Sequence, residues 1–196
     1  MPSALPIIEQ TGIPDLVIVR PKVFGDQRGW FVESYNEATY HALGITAQFV
    51  QDNQAFSRRG VLRGLHYQHH PFAQAKLVRA VQGKVLDVAV DLRSGSPTFG
   101  QHRAVLLSAD EHTQLFVPRG FAHGYVVLSP TAEFAYKCDN TYYPQAEGGL
   151  RYDDPALGID WGAWSPAELT INEKDLSWPA WSGADLGFTY PPPPTA

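Results

Sequence analysis

Lys76-Leu-Val-Arg-Ala-Val-Gln-Gly-Lys-Val-Leu-Asp-Val-Ala-Val-Asp91 is the stretch that decides the fold class. Two runs rich in β-branched residues, Lys76 to Val81 and Lys84 to Asp91, flank Gln82-Gly83. Such side chains fit a pleated surface, and a glycine between two such runs marks a tight turn. The stretch therefore predicts a β-hairpin. Working outward, further strands are predicted at 16–20, 30–35, 48–51, 61–66, 103–107, 113–117, 124–128 and 133–138, separated by Gly, Pro, Ser or Asp clusters. Phe24 to Gly29 reads as a loop, as does the run containing Phe56, Arg58 and Arg59 before Gly60. Asn36 to Leu43 is the best short helix: Asn36 can cap it and Gly44 can stop it.

Many short strands with turn signals between them favour a sandwich or barrel. The prediction is an all-β chain, a cupin-type double-stranded β-helix (jelly roll) with a few short peripheral helices. Residues 1–14 read as a lead-in and 15–182 as one domain, in which 145–182 form loops and helical turns folded onto the β core. Residues 183–196 read as a Pro-rich tail, with Pro191 to Pro194 a short exposed polyproline run.

A chain of 196 residues with 44% hydrophobic and 18% charged content is globular rather than disordered. Its net charge of -5 argues against a nucleic-acid polymer as partner. Cys138 is the single cysteine, so no intramolecular disulfide can form, which fits a reducing cytoplasm. Neither a signal peptide nor a membrane span is expected from the sequence.

The chemistry concentrates between Gly60 and Lys76, GVLRGLHYQHHPFAQAK. On a regular strand Arg63 and His66 would face opposite ways. Gly64 between them predicts a bulge that brings both to one face. Lys76 enters from the next strand. Arg63 and Lys76 lie in apolar segments, where an unpaired charge is costly and so faces a site or a partner. Histidine suits a base near neutral pH, arginine suits phosphate, and lysine suits a developing oxyanion. Asp175 is one candidate partner for His66. Tyr136, Tyr142 and Tyr143 offer phenols for proton donation or base stacking, although tyrosine is also ordinary in sheets. Cys138 has no thiolate-activating signature and reads as structural.

Metal binding is the rival for the histidines. Pro118-Arg-Gly-Phe-Ala-His123 has the Pro-x-Gly-x-x-His form of a cupin metal histidine. The partner motif is broken, because Gln68 stands where a second histidine is needed and no carboxylate follows before Arg79. Zinc or iron needs three or more ligands, so neither a metal nor another cofactor is predicted.

Several motifs resemble the dTDP-4-dehydrorhamnose 3,5-epimerase family. They are Phe24-Gly-Asp-x-Arg-Gly-x-Phe31, Gln51-Asp-Asn53, Gly60-Val-Leu-Arg-Gly-Leu-His-Tyr-Gln68, Gln74-x-Lys-Leu-Val-Arg79, Pro118-x-Gly-Phe-Ala-His-Gly124 and Glu133-Phe-x-Tyr-Lys137. The match runs in order from about 13 to 178. It implies a dimerising cupin that acts without metal on dTDP-4-dehydro-6-deoxy-D-glucose, inverting C3 and C5. A single-carbon epimerase or a 3,4-ketoisomerase is the competing activity. By the same resemblance, His66 is the base paired with Asp175, Tyr136 the opposing acid and Lys76 the enolate stabiliser. Arg63 and His123 line the sugar-diphosphate site, and Tyr142 stacks on thymine. Arg28, Glu33, Gln51, Asn53, Glu147 and Lys174 supply further contacts, with the Arg28–Glu33 arm reaching in from the partner of a homodimer. Trp30, Phe56, Arg58-Arg59 and the Trp161–Leu169 segment depart from the family pattern.

Overall fold

The structure is a computed structural model and describes residues 5–183 and 185–191. In chain order the strands are β1 (Ile7–Gln10), β2 (Val17–Arg20), β3 (Val23–Asp26), β4 (Gly29–Val32), β5 (Gln51–Arg58), β6 (Leu62–Gln68) and β7 (Lys76–Gln82). They continue as β8 (Lys84–Asp91), β9 (His102–Ser108), β10 (Gln114–Val117), β11 (Phe121–Val127), β12 (Thr131–Cys138) and β13 (Glu147–Gly149). Helix α1 spans Glu37–Ala42 and α2 spans Glu173–Leu176. As predicted, Asn36 caps α1 by accepting a hydrogen bond from the Thr39 N–H, and Gly44 takes a φ of +91° beyond its end.

Two sheets face each other. One runs β1-β2-β10-β7-β12-β5 and the other β13-β6-β11-β8-β9, with β3-β4 forming a separate ribbon. Between the sheets lies a core that includes Leu16, Val78, Val85, Leu107, Leu115 and Phe134. The outer face of the five-stranded sheet is also covered. There Leu62, Leu65, Val88 and Val90 pack against Leu150, Leu157, Trp161 and Phe188 from the C-terminal layer. Helix α1 closes the far side of the six-stranded sheet, with Tyr40 against Val17, Val19, Leu77 and Phe116. The all-β double-sheet prediction holds.

The predicted hairpin does not form. Both runs are strands, but β7 bonds to β10 and β12 whereas β8 bonds to β11 and β9. Gln82-Gly83 is the corner at which the chain changes sheets. Gly83 has a φ of +72°, and a Cβ there would lie 2.2 Å from the Thr131 carbonyl oxygen. Residue type indicates a strand but not its hydrogen-bonding partner. Most of β8 is buried on both faces, so it shows no alternation that would name its sheet.

Other boundaries shift as well. Phe24 to Gly29 belongs to the β3-β4 ribbon rather than a loop, with Gln27-Arg28 as its turn. Its turn-forming residues mask the pairing. The run with Phe56 and Arg58 is the end of β5, paired along its length with β12. The lead-in contains β1, which pairs with β2. The C-terminal tail is anchored in part: Phe188 is buried, the Tyr190 N–H donates to the Ser94 carbonyl, and Arg93 stacks on the Tyr190 ring. Pro192 to Pro194 lie outside the described residues. No helix among the described residues is long and apolar enough to cross a membrane.

Candidate active site

The bulge predicted at Gly64 is present. Strand β11 pairs His123 with His66 and Tyr125 with Arg63, so the register slips across this glycine. Leu62 and Leu65, of opposite parity, consequently pack in the same outer cluster. Arg63 and His66 both line the cavity between the sheets. Gly64 has a φ of +130°, and a Cβ would meet the Gly124 Cα at 2.6 Å, so close backbone approach fixes the residue type.

That cavity has two chambers that share His66, Lys76 and Tyr136. The inner one, about 170 Å³, adds Arg63, His123, Tyr125, Phe134 and Asp175. The outer one, about 380 Å³, adds Gln51, Asn53, Gln68, Tyr142 and Glu147. Lys76 and Tyr136 come from neighbouring strands of the six-stranded sheet, and His66 from the opposite sheet. A ring held here meets an imidazole from one sheet and a phenol and a lysine side chain from the other.

Asp175 sits in α2, which is capped by the Asn172 side chain accepting from the Asp175 N–H at 2.6 Å. Its side chain is 1% exposed. One carboxylate oxygen lies 2.7 Å from His66 Nε2, and the other accepts the Gly64 N–H at 3.0 Å. Burial opposes its ionisation, but these bonds win and hold the carboxyl below its ordinary value. An ionised carboxylate only accepts. It therefore fixes the proton of neutral His66 on Nε2 and leaves the Nδ1 lone pair free.

Burial pushes the Tyr136 phenol up to about 12, reinforced by Cys138 and Tyr125 and opposed by Arg63. The phenol thus keeps its proton at neutral pH. Burial lowers the pKa of Lys76, against the pull of Cys138, Asp87 and Glu147. Desolvation raises the buried Cys138 thiol to about 11, so it stays uncharged. His123 forms a second imidazole–carboxylate pair, its Nε2 being 2.9 Å from both oxygens of buried Asp87.

At the outer mouth, Glu147 accepts from the Tyr142 hydroxyl and the Lys174 ammonium at 2.5 Å each. Burial opposes the ionisation of Glu147, yet Lys174 and Tyr142 hold it below its ordinary range. Gln51 accepts the Tyr142 N–H at 3.0 Å and donates to Asn53 at 3.1 Å. Thus His66, Lys76, Tyr136, Asp175, Arg63, His123, Gln51, Asn53, Tyr142 and Glu147 line one cavity, and Lys174 joins it through Glu147.

Arg28 and Glu33 do not join them within one chain. Arg28 is at the tip of the β3-β4 ribbon, where its guanidinium pairs with Asp26 at 2.6 Å. Glu33 follows the ribbon and accepts weakly from Asn36 at 3.4 Å. Sequence reasoning misses Gln68 and Tyr125 as cavity residues. Gln68, read only as a broken metal position, donates to the Phe72 and Thr141 carbonyls and accepts the Tyr143 N–H, tying the loops of the outer wall together. The available signal for Tyr125 is its place two residues after His123 on one strand, since equal parity means a shared face.

A family model described as dTDP-4-dehydrorhamnose 3,5-epimerase matches residues 10–183. The chain belongs to the dTDP-4-dehydrorhamnose 3,5-epimerase family. It is 54% identical over 168 residues to the dTDP-4-dehydrorhamnose 3,5-epimerase of Salmonella typhimurium, covering 85% of this chain and 92% of that one. The crystal structure of the Elizabethkingia anophelis enzyme of that name aligns with a TM-score of 0.88 and 48% identity, covering 93% of this chain and 100% of that one. A Legionella pneumophila dTDP-6-deoxy-D-glucose-3,5-epimerase in complex with dTDP-4-keto-L-rhamnose aligns with a TM-score of 0.85 and 48% identity, over 89% and 92% of the two chains. By family, this chain is an isomerase.

Proposed function

We propose that the chain converts dTDP-4-dehydro-6-deoxy-D-glucose to dTDP-4-dehydro-L-rhamnose by inverting C3 and C5. The observation that carries this reading is the pair of buried Asp175 and half-buried His66 facing Lys76 and Tyr136 across one cavity. The C4 ketone acidifies the hydrogens on C3 and C5, because loss of either gives an enolate. The free Nδ1 of His66 takes the proton, and Asp175 stabilises the imidazolium that forms. The Lys76 ammonium holds the enolate oxygen. Tyr136 delivers its proton to the opposite face, and solvent exchange resets both groups before the second carbon reacts. No electron changes hands, so this scheme calls on no redox cofactor.

The outer chamber, with Tyr142, Glu147, Gln51 and Asn53, takes the nucleotide, and Arg63 and His123 serve the diphosphate-sugar side. The working form is a cytoplasmic homodimer. Supporting it, the β3-β4 ribbon leaves Phe24, Trp30 and Phe31 at 47%, 64% and 66% exposure, an apolar display that a second copy would cover. The ribbon would then carry Arg28 and Glu33 to the partner's cavity. Family membership favours double inversion over a single-carbon epimerase or a ketoisomerase. Proton NMR in deuterated water tests the reaction: both C3 and C5 should acquire deuterium, and absence of exchange at both positions would refute it.

A further inference from the structure

Strand β6 lies between β11 and β13, so His66 is paired with His123 on one side and with Gly149 on the other. Directly opposed residues of an antiparallel pair point to the same face, yet Gly149 brings no side chain to stand beside the imidazole. Its backbone is not in the left-handed region, so conformation does not call for glycine there. Space does: a Cβ would lie 2.5 Å from both Cδ2 and Nε1 of Trp178. The indole thus fills the cross-strand slot next to His66. It meets the imidazole edge-to-face, with ring centroids 6.3 Å apart and planes at 72°.

The same residue ties down the helix that carries Asp175. Helix α2 has four residues and Ser177 as its C-cap, too short to hold itself in place. Trp178 follows at once, and the next carbonyl, of Pro179, accepts the Arg151 N–H at 3.0 Å just beyond β13. The Lys174 ammonium lies 5.6 Å from the centroid of the indole. The indole N–H is buried with no hydrogen-bond partner among the described residues, so packing is what places this ring. It lines neither chamber of the cavity and therefore acts on the site only through His66 and Asp175. A hydrogen bond to Asp175 fixes one nitrogen of the imidazole but leaves its plane free to turn. The Nδ1 lone pair lies in that plane, so a flanking ring decides where it points.

We propose that Trp178 is a positioning residue for the epimerisation: its indole, lodged over Gly149, confines the His66 imidazole and holds α2 so that Asp175 stays on Nε2. This rests on the epimerase reading and deepens it. Glycine at 149 and tryptophan at 178 form one device, since the ring needs the bare backbone and the bare backbone leaves His66 unsupported without the ring.

The test compares wild type, Trp178→Ala, Trp178→Phe and Gly149→Ala. Trp178→Ala should lower kcat by about 10–100-fold, the scale of a misplacement of about 1 Å. The dissociation constant of dTDP, read by calorimetry, should move by no more than about fivefold, the value of the lost contact with Lys174. Trp178→Phe keeps a ring in the slot and should recover most of kcat. Gly149→Ala pushes the indole aside without emptying the layer and should lower kcat as well, so the test survives if Trp178→Ala does not fold. In an Asp175→Asn background, removing the indole should add little, because the geometry it protects is already lost. Nitrogen-15 NMR of ligand-free protein should show neutral His66 protonated on Nε2 in wild type and a mixture of tautomers once the indole is removed or displaced. Unchanged kcat, a change in KM alone, a Phe variant as poor as the Ala variant, full additivity with Asp175→Asn or an unaltered His66 tautomer would each overturn the assignment. A wild-type chain without epimerase activity would instead overturn the proposed reaction, and the tautomer measurement, which needs no turnover, would still decide the role of Trp178.

Discussion

Asp175→Asn is the sharpest probe of the proposed mechanism, because it alters the base while keeping the cavity's shape. The Asn side chain can still accept the Gly64 N–H through its oxygen, replacing the present 3.0 Å bond. Its NH2 group then lies about where a carboxylate oxygen stood, 2.7 Å from His66 Nε2. Two donors cannot face each other. His66 must move its proton to Nδ1 and accept on Nε2, which blocks the lone pair meant for the substrate. Restoring the active tautomer sacrifices a bond worth about 1–1.5 kcal/mol, or roughly a factor of ten. Losing the carboxylate also removes a charge-assisted bond to the imidazolium, worth about 1.5–3 kcal/mol, or roughly another 10–100-fold. Together kcat should fall about 10²–10³-fold, within the range for a positioned base. NMR would read deuterium entry at C3 and C5, while calorimetry with dTDP and a thermal melt confirm an intact site. A folded, dTDP-binding variant that exchanges within about threefold of wild type, far inside the range for a positioned base, would refute the role given to this pair.

Tyr136→Phe should separate two events: washout of substrate hydrogens by His66 persists at a reduced rate, while formation of the inverted product falls by about 10²–10⁴-fold, and unchanged product formation would remove Tyr136 as the acid. Mixing Arg28→Ala subunits with His66→Asn subunits tests the proposed arm, since a mixed dimer regains one intact site; gel filtration that finds only monomer, or activity no higher than that of the separate variants, would count against exchange of the ribbon. Glu147→Gln bears on pH. The folded Glu147 carboxyl lies below its ordinary value, so its contribution is fully present above the unfolded pKa, about 4.3, and disappears as pH falls through the lower folded value. Urea midpoints of wild type and Glu147→Gln should therefore differ at neutral pH and draw together as pH falls below about 4; a constant gap would contradict the linkage. Gly83→Ala should cost about 1–3 kcal/mol, because its Cβ would press within 2.2 Å of a backbone oxygen at a φ of +72°, and a denaturation midpoint equal to wild type would show that the corner can relax.

How far the sequence reveals the fold depends on what each strand faces. Strand identity is legible wherever β-branched residues run between breakers, as at Val17–Arg20 and Lys84–Asp91. Partner choice is not. A tight hairpin and a sheet-to-sheet corner both call for a glycine at positive φ, so Gln82-Gly83 can be read either way. Layered burial deepens the ambiguity. The C-terminal layer covers the outer face of β8, and helix α1 covers part of β7, so neither strand alternates cleanly between apolar and polar. Short edge pieces such as β1 and β13 stay hidden for another reason: four or three residues carry too little period to detect.

The site is legible for a different physical cause. A glycine between two functional side chains of opposite parity is informative because only a bulge can reconcile them. Gly64 therefore announces in the sequence that Arg63 and His66 share a face, and the slipped pairing with His123 and Tyr125 is that bulge seen from the neighbouring strand. Sequence distance conceals the rest. Asp175 lies 109 residues from His66, and no local pattern ties the two. What ties them is Gly64 itself: its N–H binds one carboxylate oxygen while the other meets the imidazole. The distortion that turns His66 into the cavity thus also presents the backbone donor that positions its partner. Filling that position with any side chain would disturb the His66 imidazole, its Asp175 partner and the approach of Gly124 together.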